Sequence, residues 1–251
     1  MILLRFEFLK IKRILGLHLV YIVPIFMSAI GTWELVKRVS SSPAAAIIQP
    51  FSTFYFQFYV LFSPIMIFLI LFSLIQVENK NRMWESNLLL PIGKVELYLG
   101  KILVSIIFLL SFCIISYFSY IAGILLCGEL FPGRLILHHH DNIIIILFFS
   151  RIFIAFTLYA FLAIPVFIFI ENAITSLGAF FFFILLSLFL TQRTWYWFYP
   201  FSYHILVLNS YRRDYDPNQD KGILITLLYI VIALISGILL FKNYSRQSVK
   251  N

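Results

Sequence analysis

Charged residues are scarce in this chain of 251 residues. Only 12% are Asp, Glu, Lys or Arg, whereas 62% are hydrophobic, and the mean hydropathy is +0.97. Soluble domains carry about 25% charged residues and about half apolar ones, so a chain of this length cannot hide its apolar surface in one water-soluble core. The composition excludes an ordinary soluble domain and predicts an integral membrane protein.

Cysteine and basic clusters are also sparse. Cys113 and Cys127 lie fourteen residues apart in one apolar segment, which keeps them apart on a single helix and argues against a disulfide scaffold. The net charge is +8, but no basic run is interleaved with aromatic residues in a polar segment, as a nucleic-acid groove requires. We therefore expect no nucleic-acid partner, and we assign the basic residues to membrane orientation and lipid headgroup contact.

Motifs of nucleotide, metal and hydrolytic chemistry are missing too. The Gly-Lys pairs at residues 93 and 100 lack the upstream glycine and the following Ser or Thr of a phosphate-binding loop. Neither H-E-x-x-H nor G-x-S-x-G occurs. The run His138–His140 suits a transition metal by its chemistry, but three adjacent residues cannot all face one ion. We expect no catalytic, cofactor or metal site, and a polar external loop at these histidines.

Long apolar runs predict six membrane-spanning helices. The runs Phe54–Ile75 and Ile102–Gly128 contain no Asp, Glu, Lys, Arg or His, and about 20 apolar residues cross a hydrocarbon core of about 30 Å. The runs lack the ten-residue alternation of a barrel, so we predict an all-α integral membrane protein with one transmembrane domain over residues 1–251. The predicted spans are residues 14–35, 54–77, 98–126, 143–170, 175–190 and 222–241.

Two further segments are predicted to lie at the membrane surface. Residues 1–13 place Leu4, Phe8 and Ile11 at helical spacing among basic residues, which indicates an amphipathic interfacial helix. The alternative is the basic region of a cleaved signal peptide, against which the following apolar run is unusually long. Residues 191–221 are aromatic and then polar, which predicts extracellular re-entrant or surface helices with Trp195 and Tyr199 in an interfacial belt.

The basic residues also predict the orientation of the chain. With six spans, both termini and the whole charged segment Gln76–Lys101, which contains the loop over residues 78–97, share one side. That side carries eleven Lys and Arg, and the other side carries seven. Because basic residues are retained in the cytoplasm, we predict a multi-pass protein with both termini and this loop in the cytoplasm.

Residues 76–101 form the longest charged interruption between two apolar runs. Residues 82–90 contain neither Pro nor Gly, and Pro91 and Gly93 follow, which predicts a short helix from about residue 79 to residue 90. Trp84 lies on one face of this helix beside a mixed-charge surface. The residues leave two interpretations open: a rigid docking element for another protein, and an ordinary solvated loop.

The loop resembles a known one. Its sequence E-N-K-N-R-M-W-E at Glu78–Glu85, followed by L-L-L-P-I-G-K ending at Lys94, resembles the cytoplasmic loop of ABC-2-type permeases, especially the lantibiotic-immunity (bacteriocin self-protection) subunits. Gly93 stands where Ser is commoner, and Ser86–Asn87 depart from a Leu-rich helix. The resemblance implies that residues 1–13 and the loop dock a separate ATPase. The implied docking residues are Glu78, Asn79, Lys80, Asn81, Arg82, Met83, Trp84, Glu85 and Pro91.

The resemblance also implies a function. It implies a non-catalytic permease subunit of an ABC exporter in the bacterial cytoplasmic membrane, with ATP and Mg bound by two copies of a partner ATPase. A second permease subunit, identical or homologous, would complete the pathway. The implied cargo is a membrane-active peptide or amphiphile, which would give antimicrobial-peptide immunity. The alternative is an accessory or sensory membrane protein without transport activity.

Arg151 is the one charge well inside an apolar run. An ionisable residue at such a position suggests a contact in a transport pathway. The structural alternatives are a side chain that snorkels to the surface, a pairing with Glu129 or Asp141, and a span that begins only at Arg151.

Overall fold

A computed structural model describes residues 18–41, 48–80, 93–130, 139–170, 172–190, 193, 195–212 and 218–247. The regular secondary structure in these ranges is helical, as the composition predicts, and they contain no strand. The predicted interfacial helix over residues 1–13 lies outside them. The elements are α1 (Leu19–Ser41), α2 (Ile48–Lys80), α3 (Lys94–Leu130), α4 (His139–Phe169), α5 (Ala173–Leu190), two 3-10 turns (Tyr196–Phe198 and Pro200–Ser202), α6 (Tyr203–Arg212) and α7 (Asn218–Gln247).

Four of these helices are long and apolar enough to cross a membrane, by length and composition. The segments are Tyr55–Gln76 of α2, Val95–Leu130 of α3, Ile143–Phe169 of α4 and Lys221–Lys242 of α7. The apolar part of α5, Ile174–Leu190, is shorter, and the second half of α1 carries three charged residues. The chain is therefore a membrane protein with several apolar helices, and the total of six spans stays a prediction.

Helices are the structure that such runs must adopt. Hydrocarbon offers no hydrogen-bonding partner to the backbone, so each N–H and C=O must find one within the chain. Side-chain hydroxyls follow the same rule and donate to carbonyls of their own helix. Ser111 Oγ donates to Ile107 O at 2.9 Å, and Thr157 Oγ1 donates to Phe153 O at 2.8 Å. These residues are thereby tolerated among apolar neighbours.

The described helices pack into one bundle with α4 at its centre. Helix α4 contacts α2, α3, α6 and α7. Helix α1 lies on one side of the bundle, where it packs against α2 and α3. Helix α5 packs against α2 and against the second 3-10 turn, and α6 lies against α4, α7 and α2. The short helices after α5 are thus in direct contact with the long ones.

Aromatic rings fill the space where α2, α3 and α4 meet. The Phe56 ring of α2 lies 4.1 Å from the Phe148 ring of α4 and 5.0 Å from the Tyr120 ring of α3. The Tyr59 ring of α2 lies 5.5 Å from that of Phe149, and all five residues are buried. Such ring pairs contribute about 0.5–1.5 kcal/mol each beyond the area they bury. Because lipid tails are as apolar as these side chains, close packing holds the helices together.

A buried hydroxyl network joins α1, α2 and α3. The Tyr55 hydroxyl of α2 donates to Ser116 O at 2.9 Å and lies 3.2 Å from Ser119 Oγ, both on α3. Ser28 of α1 donates to Ser119 O at 2.7 Å, and Ser119 Oγ lies 3.1 Å from Pro24 O and 3.0 Å from Ser116 O. With a single hydroxyl proton, Ser119 donates to one of these carbonyls at a time. Ser119 is therefore the polar junction of three helices.

We expect Ser119→Ala to destabilise the protein by about 1–2 kcal/mol, since hydrogen bonds between membrane helices contribute about 0.6–2 kcal/mol each. Chemical unfolding of the purified protein in detergent measures this change. The matched control is Ser111→Ala on the same helix. The Ser111 hydroxyl donates within α3, so its loss removes no hydrogen bond between two helices. Equal stability of the two variants would contradict the role of Ser119.

Candidate functional site

The loop predicted to dock an ATPase lies between α2 and α3. Helix α2 ends at Lys80 and α3 begins at Lys94, so both helices extend into the segment assigned to the loop. Glu78, Asn79 and Lys80 form the last turn of α2, and their side chains lie outside the described part of the chain. So does the whole of residues 81–92, and with it most of the predicted loop helix. The predicted docking residues in that range are Asn81, Arg82, Met83, Trp84, Glu85 and Pro91.

The first turns of α3 show what the loop leads into. The backbone N–H of Leu97 donates to Gly93 O at 3.1 Å, and exposed Glu96 lies in the first turn, where a negative charge is favourable beside the helix dipole. Tyr98 follows and is fully buried, with its ring 4.9 Å from the Phe241 ring of α7. The Phe241 ring lies 6.0 Å from that of Phe169, the last residue of α4. Three helices thus meet beside the predicted loop.

Tyr98 also approaches the α7 backbone closely. A Cβ atom added at Gly237 would lie 1.9 Å from Tyr98 Oη and 2.5 Å from its Cζ, so no larger residue fits there without displacing the ring. Glycine allows this close approach between membrane helices. Sequence reasoning missed this pair. The sequence signal was Gly237 inside a long apolar run, and a glycine alone does not reveal which side chain packs against it.

The second predicted residue, Arg151, lies in the interior of α4. The helix continues without interruption from His139 to Phe169, with Arg151 twelve residues after its first residue. Its side chain is half-buried. A role in a transport pathway stays a prediction.

The histidine run stands where α4 begins. His138 lies outside the described residues, and His139 and His140 are the first residues of α4, with side chains that are not described. Within the described ranges, no group of three His, Cys, Asp or Glu residues could hold a metal ion.

The 3-10 turns after α5 insert one ring into the bundle. Phe201 is buried, and its ring stacks 5.3 Å from that of Tyr159 on α4 and 5.5 Å from that of Phe183 on α5. Trp195 is exposed and Tyr199 is half-buried. Phe201, which follows the residues of the predicted aromatic belt, thus packs among the helices, and the belt itself stays a prediction.

His204 of α6 forms a buried pair with Tyr159. His204 Nδ1 lies 2.5 Å from Tyr159 Oη, and that hydroxyl donates to Phe201 O at 3.1 Å. Only 1% of His204 is exposed. Burial lowers the pKa of His204 to about 3, against a smaller opposite effect of the backbone hydrogen bond to Phe201. The imidazole is therefore neutral at ordinary pH, and it fastens α6 to the central helix.

An apolar groove of about 410 Å³ runs between α2 and α5. The space beside Gly178 in this groove is open, because a Cβ atom added at Gly178 would have no other atom within 4 Å. Phe68 on its wall also stacks 4.5 Å from Phe180 and lies 6.3 Å from Phe201, so the groove adjoins the inserted turn. Its lining residues are Ile65, Phe68, Leu69, Ile174, Leu177, Gly178, Phe181 and Ile184. Such a surface can accept hydrocarbon and offers no group for catalysis.

Acidification is expected to destabilise the protein through His204. Below about pH 6.5 the unfolded chain binds a proton that the folded His204, with its pKa of about 3, does not bind. Stability should therefore fall as the pH drops from about 6.5 toward 3, by at most about 1.4 kcal/mol per pH unit. Thermal unfolding in detergent at about pH 7.5 and about pH 5.5 measures the slope.

The pH slope can be assigned by substitution. His204→Gln should reduce it, because glutamine binds no proton in either the folded or the unfolded state. An unchanged slope in His204→Gln would show that His204 does not stay neutral in the folded state.

Comparison with protein families adds to this geometry. The family model described as "ABC-2 family transporter protein" matches residues 3–187, which include the whole predicted docking loop. No curated protein and no solved structure shows significant similarity to the chain. The match covers well over half of the sequence and confirms, at the level of the family, that the chain is similar to ABC-2-type permeases. The chain belongs to the ABC-2 transporter family.

Proposed function

We propose that the chain is the permease subunit of an ABC exporter that moves a membrane-active peptide or amphiphile. The observation that carries this proposal is the family match over residues 3–187. Several long apolar helices in the same region support it. The narrower assignment to antimicrobial-peptide immunity, in a bacterial cytoplasmic membrane, rests on the resemblance of residues 78–94 to the lantibiotic-immunity permeases.

The energy source must lie in another chain. The sequence holds no phosphate-binding loop, because neither of its Gly-Lys pairs has the glycine and hydroxyl residues that cradle phosphates. We therefore propose that two copies of an ABC ATPase bind ATP and Mg and dock on residues 78–91. Six spans, cytoplasmic termini and a second permease subunit, identical or homologous, complete the proposal.

Trp84→Ala should prevent docking, and so should the double charge reversal Glu78→Arg with Arg82→Glu. Truncation of a central Trp or Arg in an interface costs about 2 kcal/mol or more, so we expect the ABC ATPase that co-purifies with the tagged chain to fall at least about tenfold. Quantification of both chains after purification from native membranes measures this. Trp195→Ala is the matched control, because Trp195 is an exposed Trp in the segment predicted to be extracellular.

Two outcomes would count against this docking site. Undiminished capture in both loop variants would exclude residues 78–85 as the contact. Failure of the unsubstituted chain to retain any ABC ATPase would contradict the permease function itself and favour the accessory or sensory alternative.

The groove between α2 and α5 suits the proposed cargo. Its lining side chains are all apolar, and both walls belong to apolar helices. A membrane-active peptide or amphiphile presents hydrocarbon groups, which such a surface can accept without leaving a polar group unpaired. We propose that the apolar part of the cargo occupies this groove during export.

Gly178→Phe is expected to block the groove. The new ring enters space that is open around Gly178, and since small changes in an apolar pocket alter binding by about 1–3 kcal/mol, export should fall at least about tenfold. Cellular efflux of a fluorescent cationic amphipathic peptide measures it. Leu185→Phe on the exposed face of α5 is the control for an added ring on the same helix. Equal efflux in the two variants would exclude the groove from the pathway.

A further inference from the structure

Glycines mark close contacts at both ends of α7. At one end, Gly237 lies under Tyr98 of α3. At the other, a Cβ atom added at Gly222 would lie 3.0 Å from Leu206 Cδ1 and 3.3 Å from Tyr203 Cδ2, both on α6. Gly222 and Gly237 are about 22 Å apart along the helix at 1.5 Å per residue. One stiff helix thus touches both the start of α3 and the short helix α6.

The contact between Tyr98 and Gly237 is steric. The Tyr98 side chain has 0% exposure, and its hydroxyl has no hydrogen-bond partner in the part of the chain that the structure describes. A buried hydroxyl without a partner costs free energy, so hydrogen bonding does not explain the position of this ring. The ring fills the space between the α7 backbone at Gly237 and the Phe241 ring. Movement of α3 at Tyr98 must therefore displace α7.

The first half of α7 is fastened to the segment after α5. Tyr229 Oη donates to Phe198 O at 2.9 Å, and Lys221 Nζ lies 5.9 Å from the centroid of the Trp197 ring. Together with the contact at Gly222, these interactions hold the 3-10 turns and α6 to α7. The same segment inserts Phe201 into the bundle, next to the groove.

Between its two ends, α7 is packed on one side only. One face contacts α4, whereas Leu224, Leu228 and Ile232 on the other face are 69%, 57% and 52% exposed, so no described part of the chain covers them. Its exposed face interlocks with no other helix of the described chain, so only the elements on its packed face resist a shift of α7 along its length. This arrangement suits an element that carries displacement along its length.

We propose that α7 links the first turns of α3 to the segment 195–212, and that Tyr98 and Gly237 are the positioning residues of this link. Tyr98 lies one turn into α3, directly after the predicted docking loop, so a displacement of the first turn of α3 reaches Gly237 through the Tyr98 ring. Helix α7 transmits this displacement to Gly222, which contacts α6. Helix α6 in turn follows the turn that carries the buried Phe201. This inference rests on the proposed permease function.

The test compares transport with ATP hydrolysis in proteoliposomes that contain the chain and its co-purified ABC ATPase. The probe is a fluorescent cationic amphipathic peptide, and the quantity measured is peptide moved per ATP hydrolysed. Gly237→Ala forces the Tyr98 ring away, and Tyr98→Leu removes the ring without adding bulk. Ser236→Thr is the matched control, because it adds one carbon on the exposed side of the same turn, where the Ser236 hydroxyl donates to Ala233 O at 3.0 Å within its own helix.

We expect both variants to assemble with the ATPase and to hydrolyse ATP while transport per ATP falls at least about fivefold, the lower end of coupling effects between sites. Ser236→Thr should keep the ratio of the unsubstituted chain. An assembled Gly237→Ala or Tyr98→Leu variant with an unchanged ratio would overturn the inference. So would loss of assembly in both variants, which would make the contact a folding contact alone. If the unsubstituted complex moves no peptide with ATP, the permease function fails first.

Discussion

The fold depends on one constraint: inside hydrocarbon, every backbone N–H and C=O must find its partner within the chain. This constraint explains why the long apolar runs are helices and why serine and threonine hydroxyls donate to carbonyls of their own helices. The hydrocarbon also removes the hydrophobic driving force for association between helices, because the lipid is as apolar as the side chains. What remains to hold the helices together is ring packing, a few buried hydrogen bonds and close approach at glycine.

These three kinds of contact have different roles. Ring packing among α2, α3 and α4 builds the centre of the bundle. Buried hydrogen bonds join neighbouring helices. Ser119 joins α1, α2 and α3, and the pair of Tyr159 and His204 joins α4 to α6. Close approach at Gly237 and Gly222 joins α7 to its neighbours at each end. A permease driven by another chain must pass force through its own helices, and steric contacts of this kind can do so without any charged group in the membrane.

The sequence was sufficient for the helical membrane fold and for the family, because composition and the loop motif are local properties of the chain. It was insufficient for the tertiary contacts. Phe56 and Phe62 are both phenylalanines of α2, yet the first is fully buried and the second is 42% exposed. Where core-facing and lipid-facing residues are equally apolar, no periodicity distinguishes them, so neither the pairing of Tyr98 with Gly237 nor that of Tyr159 with His204 could be predicted. The number of spans, the orientation and the immunity role stay predictions.

We propose that this chain forms the membrane pathway and that a separate ATPase supplies the energy. The most direct measurement is ATP-dependent movement of a cationic amphipathic peptide across proteoliposomes that contain the chain alone, its co-purified ABC ATPase alone, or both. We expect movement only with both proteins and ATP. ATP hydrolysis by the purified chain alone, or no ATP-dependent movement with both proteins present, would contradict it.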